Sequence, residues 1–174
     1  MTSARRIVLT GGPGAGKTTV LKELARRGFR IVAEAARAVL SQEGGAALRA
    51  DDPDGFAEAI LERELERFHI SAIGKGMTFY DRGLGDLASM PVSATELRQR
   101  ITLALESNRY ENPVFRAPAW QAIYRQDSER TQSWEEAVVS DIAVTAAWKA
   151  AGYEIVELPL ATPPEGAAFI LGYL

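Results

Sequence analysis

The chain has 174 residues, 47% of them hydrophobic and 25% charged, a composition expected of one soluble α/β domain spanning the whole chain. Its net charge of −3 gives no bulk attraction to nucleic acid or to an anionic membrane, so phosphate binding must come from locally placed arginines. Cysteine is absent and histidine occurs once, which excludes disulfides, thiol catalysis and Cys-based or His-rich metal sites. The lack of a leader or a long apolar run makes a cytoplasmic location the expectation, without membrane insertion.

Arg5 to Thr10 reads as a first strand. It runs directly into Gly11-Gly12-Pro13-Gly14-Ala15-Gly16-Lys17-Thr18, which meets the phosphate-loop pattern G-x-x-x-x-G-K-[ST] at every fixed position. Glycines let consecutive backbone N–H groups turn inward around phosphate oxygens, and the following helix adds its positive end. Gly12, Pro13, Gly14, Ala15, Gly16, Lys17, Thr18 and Thr19 are therefore the candidate nucleotide contacts. Lys17 would reach the outer phosphates and Thr18 would ligate Mg²⁺.

A helix from Lys17 to Arg27 follows, with Val20, Leu21, Leu24 and Ala25 on its apolar face and Gly28 as its C-terminal cap. Phe29 to Ala33 is a short second strand, and Glu34 to Ser41 a helix at its carboxyl end. Gly44 to Asp52 reads as loop. Asp52-Pro53 is an N-cap and first helical position, and Phe56, Ile60, Leu61, Leu65 and Phe68 carry that helix to about Ile73. His69 sits on it as an ordinary polar residue.

Beyond Gly74 and Gly76, Met77 to Tyr80 is a third strand ending in Asp81-Arg82-Gly83. Ser93-Ala94-Thr95-Glu96 has the form of a capping box opening a helix toward Ser107. Pro113 to Ala117 is a fourth strand. Tyr124 to Arg130 is too polar for core. Ser133-Trp134-Glu135-Glu136 is a second capping box, and Trp134, Val138, Ile142 and Trp148 line its helix. Tyr153 to Leu158 is the fifth strand, Pro163-Pro164 a turn that could wall the base, and Glu165 to Leu174 a closing helix.

Strands alternating with helices imply right-handed crossovers and a parallel sheet covered on both faces. Ligands bind such sheets at the carboxyl ends of the strands, so the residues there are the ones to read. Asp81 would hold Mg²⁺, or else cap its own turn. Glu34 would accept the proton of an attacking hydroxyl or water, or else is a favourable first-turn acid. Arg37, one turn on, would contact the same substrate or form a surface ion pair. Arg125 and Arg130, in a lid segment around 119–135, would neutralise transition-state charge, or else belong to a solvated turn.

The blocks Glu34-Ala35-Ala36-Arg37, Phe79-Tyr80-Asp81-Arg82-Gly83 and Ile123-Tyr124-Arg125-Gln126-Asp127-Ser128-Glu129-Arg130, joined to the loop, resemble the NadR/Ttd14-like P-loop ATPases. That family is grouped with AAA-type ATPases but is built like nucleoside and nucleotide kinases. The resemblance covers nearly the whole chain. It implies a three-layer P-loop NTPase sandwich with a five-stranded parallel sheet in the order 2-3-1-4-5, ATP or GTP with Mg²⁺, Glu34 as base, Arg82 on phosphate or acceptor, and Arg125 and Arg130 as lid arginines. No second-region arginine of the ring-forming kind is found, and no DNA-binding or adenylyltransferase extension is expected.

Three functions follow from these residues. One is a Mg²⁺-dependent phosphotransferase acting on a small hydroxyl-bearing, nucleoside-like acceptor. Another is a nucleotide-hydrolysing switch read by a protein partner, although the base-recognition motif Asn-Lys-x-Asp is missing. The third is a binding module with a vestigial loop. The acceptor, the choice of ATP or GTP and the oligomeric state are not encoded in any motif.

Overall fold

In the computed structural model, which describes residues 4–71, 76–125 and 132–174, all five strands are parallel and lie in the order β2-β3-β1-β4-β5. They are β1 (Ala4–Thr10), β2 (Arg30–Val32), β3 (Gly76–Asp81), β4 (Val114–Arg116) and β5 (Ile155–Glu157). The order is the expected one. Strands near the middle carry apolar residues on both faces, because both faces are covered. On β1, Ile7 and Leu9 pack with Leu21, Leu24, Phe115 and Ile170, contributed in part by α1 (Lys17–Arg26) and α8 (Pro163–Tyr173). Val8, between them, faces the opposite cluster with Phe56, Ile60, Leu84, Tyr110 and Trp148.

That second layer is built from α2 (Ala35–Leu40), α3 (Gly45–Asp51), α4 (Pro53–Ser71), α5 (Leu84–Ala88), α6 (Thr95–Ser107) and α7 (Trp134–Ala150). Edge-on aromatic pairs stitch it together: Tyr80–Tyr110, Tyr110–Trp148 and Trp148–Tyr153 have ring centroids 5.4, 5.7 and 4.9 Å apart. Gly85 lets α5 lie flat on the indole, since a Cβ there would stand 2.3 Å from Trp148 Cδ2.

Several elements differ from the sequence expectation. Gly44 to Asp52, read as loop, contains α3. The turn after β3 contains α5, too short for a hydrophobic period to appear. The box at Ser93 does not form. Thr95 is the first helical residue, and the N–H groups of Ser93 and Ala94 donate instead to Asp54 Oδ1 and Oδ2, both at 2.8 Å. A distant acid thus takes the Ser93 N–H that Glu96 was expected to take in the box. The box at Ser133 does form, with Glu136 N–H bonded to Ser133 Oγ at 3.2 Å.

Ala25 is exposed rather than facing the core. On α7 the buried stripe is Ala137, Asp141, Val144 and Trp148, whereas Ile142 is 63% exposed. A strict spacing of four drifts around a helix with 3.6 residues per turn, and only alternating steps of three and four hold one face. His69 is exposed on α4, and Ile73 and Gly74 lie outside the described residues.

Candidate functional site

The phosphate loop leaves β1 through a contact that only glycine allows. Gly11 has φ 131° and presses on β4's exit, where a Cβ would lie 2.2 Å from the Ala117 carbonyl oxygen. The next residue is fastened from above: Gly12 N–H donates to Asp141 Oδ1 at 3.0 Å. Gly16 takes φ 80° just before α1, and Ile123 Cδ1 packs close over it. The loop is thus held by β4, α7 and the 3₁₀ turn Gln121–Ile123.

Lys17 is only 6% exposed. Its Nζ curls into the loop and donates to the carbonyls of Gly11 at 3.0 Å and Gly12 at 2.7 Å. Burial, and secondly the neighbouring Arg82, bring its pKa down to about 8. Thr19 Oγ1, on the exposed side, returns to Gly16 O at 2.6 Å.

Parallel pairing sets the acids beside this loop. Asp81 pairs with Leu9 in register, so its carboxylate emerges level with the strand that feeds the loop. Thr18 Oγ1 donates to Asp81 Oδ2 at 3.3 Å, while Asp81 Oδ1 is buried with no hydrogen-bond partner among the described residues. Burial raises the Asp81 pKa against the opposing pull of Lys17. A hydroxyl next to a carboxylate with a spare oxygen is a donor set that fits Mg²⁺. No cluster of three or more His, Cys, Asp or Glu residues suited to a metal occurs among the described residues.

Arg82 follows with φ 67°, a conformation that costs a non-glycine residue about 1–2 kcal/mol. Its N–H holds Leu9 O at 3.1 Å. Its guanidinium bridges two acids, Glu34 Oε1 at 3.0 Å from Nε and Asp86 Oδ1 at 3.0 Å from Nη1. Burial works against its charge, but Glu34, Asp86 and Asp81 more than offset that and raise its pKa. Glu34, the N-cap of α2, is desolvated, yet Arg82, Lys17 and Arg37 together hold its carboxyl below the usual range. Arg37 is exposed on α2 and lines the same cleft.

Lys17, Thr18, Glu34, Arg37 and Arg82 therefore open onto one cleft of about 1620 Å³, with Asp81 beneath Thr18. Past the loop, the cleft is walled by Leu160, Ala161, Thr162 and Pro163. Pro164 turns away, its carbonyl accepting from Arg27 Nη2 at 2.9 Å. Arg125 is exposed, and its Nη1 donates to Tyr124 O at 2.7 Å and Ala122 O at 3.3 Å. Arg130 lies outside the described residues. The two ends of the 119–135 segment meet, since Tyr124 Oη donates to Ser133 O at 3.2 Å and its ring packs on Trp134.

Three buried acids escaped the sequence reading. Asp86 receives Thr10 Oγ1 at 2.6 Å, Arg82 at 3.0 Å, Gly83 N–H at 3.1 Å and Trp148 Nε1 at 3.0 Å, which makes it the fixed post of the Arg82 bridge. Asp141 pairs through both oxygens with Arg116 while holding Gly12. Glu64 is 4% exposed in α4 and lines the cleft. Glu64 and Asp141 occupy positions where the helical period calls for a hydrophobe, and that mismatch was the available signal; Asp86 sits in a helix too short to show one.

Comparison with known proteins agrees with this architecture. The AAA domain family matches residues 6–165. No curated protein matches. Among solved structures, deoxyadenosine kinase from M.mycoides with bound dATP is similar at TM-score 0.71 and 14% identity, covering 97% of this chain and 98% of that one. NadR protein in complex with NR is similar at TM-score 0.72 and 17% identity, covering 98% of this chain but 51% of that one. Shikimate kinase from Acinetobacter baumannii, in complex with shikimate, is similar at TM-score 0.60 and 14% identity, covering 98% and 92%. No described helix is long and apolar enough to cross a membrane. With the family match running over most of its length, the chain belongs to the AAA domain family and has the kinase-like P-loop NTPase fold.

Proposed function

We propose that the protein is a phosphotransferase that moves the γ-phosphate of ATP, or of GTP, to a hydroxyl on a small nucleoside-like acceptor. The observation that carries this reading is the size of the cleft together with its acids. Sites for small ligands usually enclose about 300–1,000 Å³, and a cleft of about 1620 Å³ has room for a second molecule. Glu34 and Arg82 line this cleft together with the phosphate loop. The deoxyadenosine and shikimate kinases of the same fold support the reaction class.

Gly12 to Thr19 wrap the phosphates, with Lys17 leaving the loop carbonyls to pair with the outer ones. Thr18 Oγ1 and Asp81 would hold Mg²⁺, which when bound neutralises charge on the β- and γ-phosphates. The acceptor hydroxyl oxygen forms a bond to the γ-phosphorus as the bond to the β–γ bridging oxygen breaks. ADP carries that electron pair away, and Glu34 takes the hydroxyl proton. Because the transition state is loose, an ionised Glu34 of low basicity suffices; positioning and charge matter more. Arg82 steadies the transferring oxygens, Arg37 the acceptor. Segment 119–135 acts as the lid of a single domain, its Arg125 and Arg130 closing over the phosphates.

The test is ADP release by purified protein with Mg²⁺ and ATP, alone and with a panel of nucleosides and small polyols. Acceptor-dependent turnover is expected. Tight nucleotide binding with slow, acceptor-independent hydrolysis would favour a switch instead.

A further inference from the structure

Glu64 occupies the third step of a face of α4, Phe56, Ile60, Glu64, that lines the cleft. The other walls of this chamber include Leu40, Leu87 and Met90. At 4% exposure, the side chain is buried, yet its Oε2 has no hydrogen-bond partner among the described residues. Leaving such an oxygen unsatisfied costs about 1–3 kcal/mol, which leucine at this position would avoid.

The surrounding charges are mostly of its own sign. Asp86 of α5, Glu34 at the exit of β2 and Asp81 at the end of β3 oppose its ionisation, and Arg67, one turn along α4, favours it. Tyr80 of β3 and Tyr110 ahead of β4 also face it. Lys17 is taken up by the loop carbonyls and Arg82 by Glu34 and Asp86. Burial first, and Asp86 second, push the Glu64 carboxyl up to about 8. At neutral pH it is a carboxylic acid, with one O–H donor and acceptor capacity besides.

We propose that Glu64 is an acceptor-binding residue, its Oε2 hydrogen-bonding a neutral hydroxyl or amide group of the acceptor, whose apolar body lies against Phe56, Ile60 and Met90. This rests on the phosphotransferase reading above and adds to it the chemistry of the acceptor's far end. A group offering both a donor and an acceptor matches an uncharged carboxyl. A phosphate or carboxylate would add negative charge beside Asp86 and Glu34.

The experiment measures ADP release with adenosine, 2′-deoxyadenosine, 2′-deoxycytidine, uridine and shikimate as probes, for wild type, Glu64→Gln and Glu64→Leu. For a probe that wild type accepts, E64L should raise KM about 10- to 100-fold with kcat within about threefold, and E64Q should keep both within about threefold. Wild-type KM should rise from pH 6.5 to 9, because the ionised carboxylate holds water that the acceptor must displace, while the KM of E64Q stays flat. If E64L does not fold, the pH profile of E64Q decides alone. An accepted probe whose KM is unchanged in E64L, or whose pH profile is shared by E64Q, overturns the assignment and leaves the phosphotransferase reading standing. A wild type that turns over no probe faster than ATP alone overturns both.

Discussion

Asp141 reaches from the middle of α7 to the backbone of Gly12, 3.0 Å away, and at the same time pairs with Arg116 at the end of β4. One 2% exposed carboxylate thereby ties the phosphate loop to an element 129 residues later. Asp141→Ala leaves a buried N–H and most of a guanidinium unmatched, and should cost about 2–4 kcal/mol in urea denaturation. Asp141→Asn keeps an acceptor for Gly12 and should cost less than half as much. Equal stabilities for D141A and wild type would show that the tie is idle.

Lys17 poses the opposite case, a buried charge kept for a ligand. Its ammonium is desolvated and, among the described residues, hydrogen-bonded to loop carbonyls alone, so removing the charge relieves a cost. Lys17→Met should raise the stability of nucleotide-free protein by about 1–2 kcal/mol while weakening ATP binding by at least about 100-fold, the latter checked by titration calorimetry. A variant both less stable and still ATP-binding would contradict the role given to Lys17.

The two acids flanking the loop should separate kinetically. Asp81→Asn should lower turnover by orders of magnitude with ATP still bound, because it loses charge at the position proposed for Mg²⁺. Glu34→Gln should lower kcat more than it raises KM, since a base acts chiefly in the transition state. Steady-state kinetics with saturating Mg²⁺ distinguish them; a pure KM effect at Glu34 would make it a binding residue.

Glu64 should leave its mark on stability as well as on acceptor affinity. Its carboxyl rises from an ordinary 4.5 to about 8 in the folded protein. Below the lower value, folded and unfolded chains both hold the proton. Across the window the unfolded chain releases it and the folded chain does not, so stability falls as pH rises, until both are ionised. Glu64→Gln has no such proton. Thermal melts from pH 4.5 to 8.5 should show E64Q gaining on wild type by on the order of 1–3 kcal/mol, and parallel curves would place the Glu64 carboxyl in its ordinary range.

The strands, the loop and the acids at strand ends were legible because they depend on local features: an apolar run, a glycine pattern, a charge directly after a strand; the order of the strands in the sheet came only from the family resemblance. The Ser93 box and α3 were misjudged for the opposite reason. Asp54, 39 residues away from Ser93, takes the N–H groups of Ser93 and Ala94 instead, and nothing near Ser93 announces it. Glu64 and Asp141 were missed because an acid in an apolar stripe looks like a lapse of pattern until the third dimension supplies its surroundings, and Asp86 because its helix is too short to show a stripe. Arg125 illustrates a further limit. Its position in a polar segment was clear, but its bonds to the Ala122 and Tyr124 carbonyls are ones that no spacing rule anticipates.

β3 is paired on both sides, with Asp81 level with Leu9 of β1 and Tyr80 level with Val32 of β2. A slip of one residue would swap its side chains between the two helical layers, so the level of Asp81 relative to the end of β1 cannot drift without disrupting the sheet. The helices α2, α3 and α4 answer to no such ladder. An engineer could therefore redraw the walls around Phe56 and Ile60 to admit a different molecule while the phosphate machinery keeps its calibration, the sheet serving as a fixed chuck and the helices as interchangeable jaws.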